Sequence, residues 1–235
     1  MTTLEIILLS ICVALAIVFI VARTLKGGLC AFLLKTVASF GFVASAILGI
    51  VTSCHFCNTT KIALGLIAIG LLLGMIGDMV LDLKVVYPDN DKYYLNAGMS
   101  SFFLGHGCYI AAFSMLSGLD SFLTPILIAV GVAIVLTVLT IAPAKKIGLD
   151  FGKFKFQATT YSLILTFAMA YSLVLAIMGA GLWLTFVGLA LFFFSDIVLS
   201  FQYFGGKIAN KPMIAINHAL YYAAQIILLA VLFVL

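Results

Sequence analysis

The sequence predicts an all-α polytopic membrane protein, a bundle of eight transmembrane helices forming one domain over residues 1–235. Three observations carry this. First, 65% of the 235 residues are hydrophobic and only 9% are charged, whereas soluble domains run near 25% charged. No soluble fold could hide that much apolar surface. Second, apolar runs of roughly 20 residues, each long enough to cross about 30 Å of hydrocarbon as a helix, recur along the whole chain. Third, the basic residues fall into alternate connections between those runs.

The first run, 4–23, follows Thr2, Thr3 and Glu5, where a cleaved signal peptide would need a basic region, so it is expected to stay as a helix. The second, 29–53, carries Lys35 within it. The third, 61–83, ends in Gly74-Met75-Ile76-Gly77-Asp78-Met79-Val80-Leu81-Asp82, and the fourth, 95–117, contains Asn96, Ser100, His106 and Tyr109. The fifth, 122–142, is almost wholly apolar, and the sixth, 157–179, carries Tyr161. The seventh, 181–203, holds Asp196, and the eighth, 212–235, holds Asn217, His218, Tyr221, Tyr222 and Gln225.

Of the 12 basic residues, all but Lys35 and Lys61 lie in the connections after the odd-numbered spans. The positive-inside rule then places those connections in the cytoplasm and both termini on the opposite side. The net charge of +4 is spread over short loops rather than gathered on a patch with interleaved aromatics, so nucleic acid is not an expected partner and membrane lipid is. The loop from Lys145 to Lys155 reads as a solvated turn facing the lipid head groups. Cys12, Cys30 and Cys108 lie in apolar runs as small packing residues. Cys54 and Cys57 form a CxxC around His55, which has no second CxxC to complete a zinc site.

The two halves, 1–120 and 121–235, share ordered similarities. Asp78-Met79-Val80-Leu81 parallels Asp196-Ile197-Val198-Leu199, and His106-Gly107-Cys108-Tyr109-Ile110-Ala111-Ala112 parallels His218-Ala219-Leu220-Tyr221-Tyr222-Ala223-Ala224. A four-plus-four duplication is therefore expected, and an even number of helices per repeat relates the halves by a pseudo-two-fold axis along the membrane normal. It would set Asp78 opposite Asp196 and bring the two His-x-x-Tyr elements together.

An ionisable group within hydrocarbon is expensive and usually faces a cavity or a partner. Asp78 and Asp82, four residues apart, share a helix face with Gly74. Asp82 reads most simply as a solvated carboxylate at the helix end beside Lys84, and Asp78, about 6 Å deeper by helical rise, as a functional group or a structural ion pair. Lys35 and Asp196 reach the same depth. Lys35 either snorkels to the surface, compensates the carboxylates or holds a lipid phosphate. Asn217, Tyr221 and Gln225 form a stripe that must look inward. Asn96, Ser100, His106, Tyr109 and Tyr161 add polar groups in the same half of the membrane, where interhelical hydrogen bonding is the plainer reading and a shared cavity the sharper one. A three-histidine zinc site is excluded because His55 falls on the other side; His106 and His218 with an aspartate remain a conceivable ligand set, but no metal or cofactor is expected. No Gly-x-Ser-x-Gly element is present.

Gly77-Asp78, Ser101-Phe102 through His106 to Tyr109 and Phe113, Phe194-Ser195-Asp196, and Tyr221-Tyr222 with Gln225 resemble, in order and spacing, the YhhN-type lysoplasmalogenases, and Lys35 also fits. The resemblance implies an eight-helix integral membrane enzyme that hydrolyses the vinyl ether bond of lysoplasmalogens to a fatty aldehyde and a glycerophospho-alcohol. It carries Asp78 and Asp196 over as the carboxylates that matter, and leaves Asp82 and His218 unmatched. The chemistry suits such residues, since a vinyl ether hydrolyses by protonation at carbon and capture of an oxocarbenium ion by water. One carboxyl would carry the proton and the other, ionised beside Lys35, would stabilise the cation, which is the logic of glycosidase pairs. The site is expected to open to the cytoplasmic leaflet. A proton-coupled transporter is the competing class, but the outer halves of the spans are nearly all apolar; a non-enzymatic lipid-binding protein is the third.

Overall fold

A computed structural model describes residues 1–52, 57–87, 91–206 and 210–234. The described residues form eight long helices and no strand: α1 (Thr3–Leu25), α2 (Gly28–Thr52), α3 (Asn58–Val86), α4 (Asp91–Leu116), α5 (Leu123–Ile141), α6 (Lys155–Leu175), α7 (Trp183–Phe204) and α8 (Lys211–Val234). Every one is long and apolar enough to cross a membrane. The chain is thus an all-helical protein built to sit in a bilayer, as its composition predicts.

The helix ends differ from the expected spans by a few residues, for identifiable reasons. Thr2 accepts the Glu5 N–H while the Glu5 carboxylate accepts the Thr2 N–H, a capping box that starts α1. Both α3 and α4 run past the apolar text, to Val86 and from Asp91, because a helix needs apolar side chains only where it crosses hydrocarbon. The sixth span ends differently. Its α-helix stops at Leu175 and a single π-turn, Ala176–Ala180, leads into the reversal, with Gly179 and Gly181 at φ 93° and 68°. Only glycine takes that left-handed conformation without a Cβ clash.

The packing order positions the site. α3 lies along α4, and α7 along α8; α1 packs on α2, and α5 on α6; α2 meets α3, and α6 meets α7; α4 also reaches α6, as α8 reaches α2. These pairings correspond under a shift of four helices. Two pairings do not. α3 meets α8, whereas α7 and α4 lack packing of similar extent among the described residues. α1 lies along α8, sealing that seam with the buried Phe19 ring 4.9 Å from His218 and 5.3 Å from Tyr222, whereas α5 and α4 also lack packing of similar extent among the described residues. The most enclosed helix is α8, with 61% of its apolar window buried against 17% for α1 and 22% for α5. The polar stripe therefore sits on the helix best shielded from lipid, with Asn217, Tyr221 and Gln225 all buried.

Candidate active site

The first polar cluster is built from α1, α2, α3 and α8. Spaced i and i+4, Asp78 and Asp82 leave α3 on one face, and Lys35 of α2 lies between them, its Nζ 3.2 Å from Asp78 Oδ1 and 3.3 Å from Asp82 Oδ1. Arg23 at the end of α1 places Nη2 3.3 Å from the same Asp82 oxygen. Ser39, one turn beyond Lys35, donates to Asp78 Oδ2 at 2.9 Å and lies 3.1 Å from the Tyr222 hydroxyl. Tyr222 in turn reaches the Lys35 carbonyl. The Tyr221 hydroxyl hydrogen-bonds the Asp78 side chain and accepts from Gln225 Nε2 at 3.0 Å. Two cations thus meet two carboxylates in a nearly dry interior, with Lys35, Asp78 and Asp82 at 5%, 3% and 1% exposure.

Of the readings open for Lys35, the structure fits compensation of the carboxylates, and one expectation, that for Asp82, is corrected. Lys35 does not snorkel, because the carboxylates one helix away hold its ammonium in place. Asp82 is not a solvated helix-end carboxylate: the face it shares with Asp78 turns toward α1 and α2, where Arg23 and Lys35 reach it. The side chain of Lys84 lies outside the described residues. Arg23, which reads as an ordinary loop charge, belongs to the site; the signal for it is the buried stripe Cys12, Ala16 and Phe19 on α1, whose next position is Arg23.

The second cluster is built from α4, α6 and α7 around Asp196, whose Oδ2 accepts the Tyr161 hydroxyl. No cation is ion-paired with Asp196 among the described residues. Asp196 and Tyr161 line a cavity of about 300 Å³ whose wall is mainly apolar, with Leu95 and Met99 from α4 and Leu165 from α6. This cavity is lined mainly by α4, α5, α6 and α7. Leu149 and Phe151 of the α5–α6 connection cap it, and the Asp150 N–H holds that connection by donating to the Phe204 carbonyl at 2.9 Å. Ser200 and Tyr203, four and seven residues after Asp196 on the same face of α7, also line it. Tyr203 lies within electrostatic reach of Asp196, Asp78, Asp82 and Arg23, joining the two clusters. Sequence reasoning passed over it, although its i+7 spacing from Asp196 was the available sign.

A shared cavity for both carboxylates is also corrected. Asp196 lines the cavity and Asp78 does not. Between them stands an aromatic block of Phe102, Phe192 and Tyr221, with ring centroids 5.3–6.1 Å apart. The two His-x-x-Tyr elements approach the same helix, α3, one turn apart. Tyr109 and Tyr221 pack over Gly70 and Gly74 of α3, while His106 faces Phe192 and Tyr161 and His218 faces Phe19. The two histidines therefore do not form a ligand set, and among the described residues no three His, Cys, Asp or Glu side chains gather for a metal. Asn217 clamps α8 to α7, donating to the Ser195 carbonyl at 2.8 Å and to its Oγ at 3.0 Å. Asn96 is half-buried with its Oδ1 unpartnered among the described residues, and Ser100 is exposed, outside the cluster. Cys57 is exposed just before α3; Cys54 and His55 lie outside the described residues.

The model of the YhhN family matches residues 30–232, most of the chain, and the chain belongs to that family. No match was found among curated proteins or among solved structures.

Proposed function

We propose that this YhhN-family protein is an intramembrane hydrolase of the lysoplasmalogenase type, cleaving the vinyl ether bond of a lysophospholipid. The observation that carries the reading is a carboxyl group, Asp196, with a neutral hydroxyl and no cation as partner among the described residues, set in the wall of an apolar cavity and backed by a second, ion-paired carboxylate. The cavity is of ligand size and lined as an alkyl chain requires. Lys145 of the connection capping it and Lys155 at the start of α6 line a neighbouring depression of about 450 Å³, where a head-group phosphate would find cations.

In this reading the alkenyl chain enters the cavity and Asp196 delivers a proton to the outer alkene carbon. The neighbouring carbon becomes an oxocarbenium ion, which the Asp78 carboxylate stabilises across the aromatic block. Water adds to that carbon and gives up a proton to the Asp196 carboxylate. The resulting hemiacetal breaks its C–O bond to release the aldehyde and the glycerophospho-alcohol. Lys35 keeps Asp78 in its ionised role by pairing with it. By the positive-inside rule, the cavity, beside Lys145 to Lys155, opens to the cytoplasmic leaflet.

The experiment is incubation of the purified protein with lysolipids bearing 1-alkenyl, 1-alkyl or 1-acyl chains, followed by mass spectrometry. Free aldehyde from the alkenyl lipid alone is expected. Absence of aldehyde from all three would remove the reading.

A further inference from the structure

The proposed reaction consumes a water molecule, and a set of polar groups unused by the mechanism stands where water can be held. His106, Tyr109 and Gln225 are buried at 1%, 2% and 0% exposure. Both His106 ring nitrogens, the Tyr109 hydroxyl and Gln225 Oε1 have no hydrogen-bond partner among the described residues. Buried polar groups are almost always hydrogen-bonded, and those without a protein partner bond ordered water.

These groups come from two helices but one neighbourhood. The Tyr109 ring packs onto Gly70, where a Cβ would stand 2.4 Å from it, and one turn along α3 a Cβ at Gly74 would stand 3.1 Å from Gln225 Nε2 and 3.6 Å from the Tyr221 hydroxyl. The His106 ring centroid is 6.1 Å from that of Tyr109 and 5.9 Å from that of Tyr161. The set touches both carboxylate clusters. Gln225 donates to Tyr221, which bonds Asp78, and Tyr161 beside His106 donates to Asp196. It also offers both signs of hydrogen bond: an imidazole N–H and a phenol O–H donate, while the second imidazole nitrogen and the amide oxygen accept.

We infer that His106, Tyr109 and Gln225 bind a small cluster of ordered water on the buried side of the carboxylates, and that this cluster supplies the water that attacks the oxocarbenium ion. A lipid chain filling the cavity would bar water from that side, so a store held behind Asp196 lets the nucleophile arrive without displacing the substrate. The attacking oxygen forms the new C–O bond, and one of its protons leaves to the Asp196 carboxylate through Tyr161 or directly. His106 and Gln225 are positioning residues in this scheme. The second half of the inference rests on the hydrolase reading; the water site does not.

X-ray radiolytic footprinting of the full-length protein in H₂¹⁸O tests the two parts separately, because bound water generates hydroxyl radicals in place and labels the side chains beside it. Tyr171 is the dry control, equally buried but hydrogen-bonded to Ser114 at 2.9 Å. Tyr109 is expected to gain ¹⁸O severalfold faster than Tyr171, with the excess reduced in His106→Phe and Gln225→Leu. His106→Phe should also lower kcat on an alkenyl lysolipid with little change in KM, since the ring does not hold the chain. Labelling of Tyr109 no faster than Tyr171 overturns the water site, whatever the turnover. Fast labelling without cleavage of any lysolipid keeps the water site and overturns the hydrolase role given to it.

Discussion

Asp78 and Asp196 occupy similar places in the two halves yet keep different company, and their substitutions should separate those roles from mere packing. Asp196→Asn and Asp78→Asn preserve volume and polarity, so each variant should still insert, Asp78→Asn with a lower melting temperature because it breaks the pair with Lys35, while aldehyde release falls roughly 10²–10⁴-fold, as when a positioned acid or base is lost. The double variant should be little worse than either single one, because groups acting as a unit are strongly non-additive. Turnover near that of the wild type in either single variant, at matched membrane levels, would take that residue out of the mechanism. Asp82→Asn is a different case. It leaves Arg23 and Lys35 without the oxygen they share, and breaking a buried ion pair costs about 3–5 kcal/mol. Its main effect should be a lower melting temperature in detergent, with a smaller loss in Lys35→Met/Asp82→Asn than the sum of the singles. At this scale the sequence was readable wherever charge interrupts apolar text, as at Lys35, Asp78 and Asp196. Arg23 escaped because a basic residue at a helix end looks ordinary until its partner on α3 is known, and Asp82 was misread for the same reason.

Helix positions were legible because hydrophobic length alone decides them; the faces were less so. α3 shows why. It carries glycines on the sides that meet α4 and α8, and these set how near the site residues stand: a Cβ at Gly77 would be 2.7 Å from Phe102, a wall of the cavity, and one at Gly70 would be 2.4 Å from Tyr109. Small residues at such contacts let membrane helices approach closely. Gly70→Ala should therefore destabilise the protein by about 1–3 kcal/mol, the usual cost of overpacking, whereas Gly65→Ala, with nothing within 4 Å, should be neutral or slightly stabilising. Thermal unfolding in detergent, followed by size exclusion, distinguishes them; equal melting temperatures would show that Tyr109 gives way freely. No pattern in the sequence marks which glycines are close-packed, since that depends on the rotation of α4 and α8 against α3.

The whole molecule joins a paired helix arrangement to a charge asymmetry. The corresponding pairings of α1–α4 and α5–α8 support the duplication we propose from the sequence matches; it breaks where α1 and α3 meet α8 without an equal α5 or α7 against α4, and α4, α5, α6 and α7 line the cavity instead. That asymmetry was beyond the sequence, because it arises from what fills a seam rather than from which segments are apolar. Orientation follows from charge. We propose that the ends carrying Arg23, Lys26, Lys145, Lys146, Lys153 and Lys155 face the cytoplasm and both termini the opposite side, as eight spans and the retention of basic residues in the cytoplasm would have it. Single cysteines introduced at Lys145 or Lys153, in a background with the native cysteines replaced, should resist a membrane-impermeant maleimide in intact cells and react after permeabilisation. A cysteine at Thr2 should react in both. The opposite pattern would place the end of the bundle that carries the cavity in the outer leaflet, and the lysolipid pool it could draw on would change with it, since Leu149 and Phe151 of the connection between those lysines line the cavity beside Asp196.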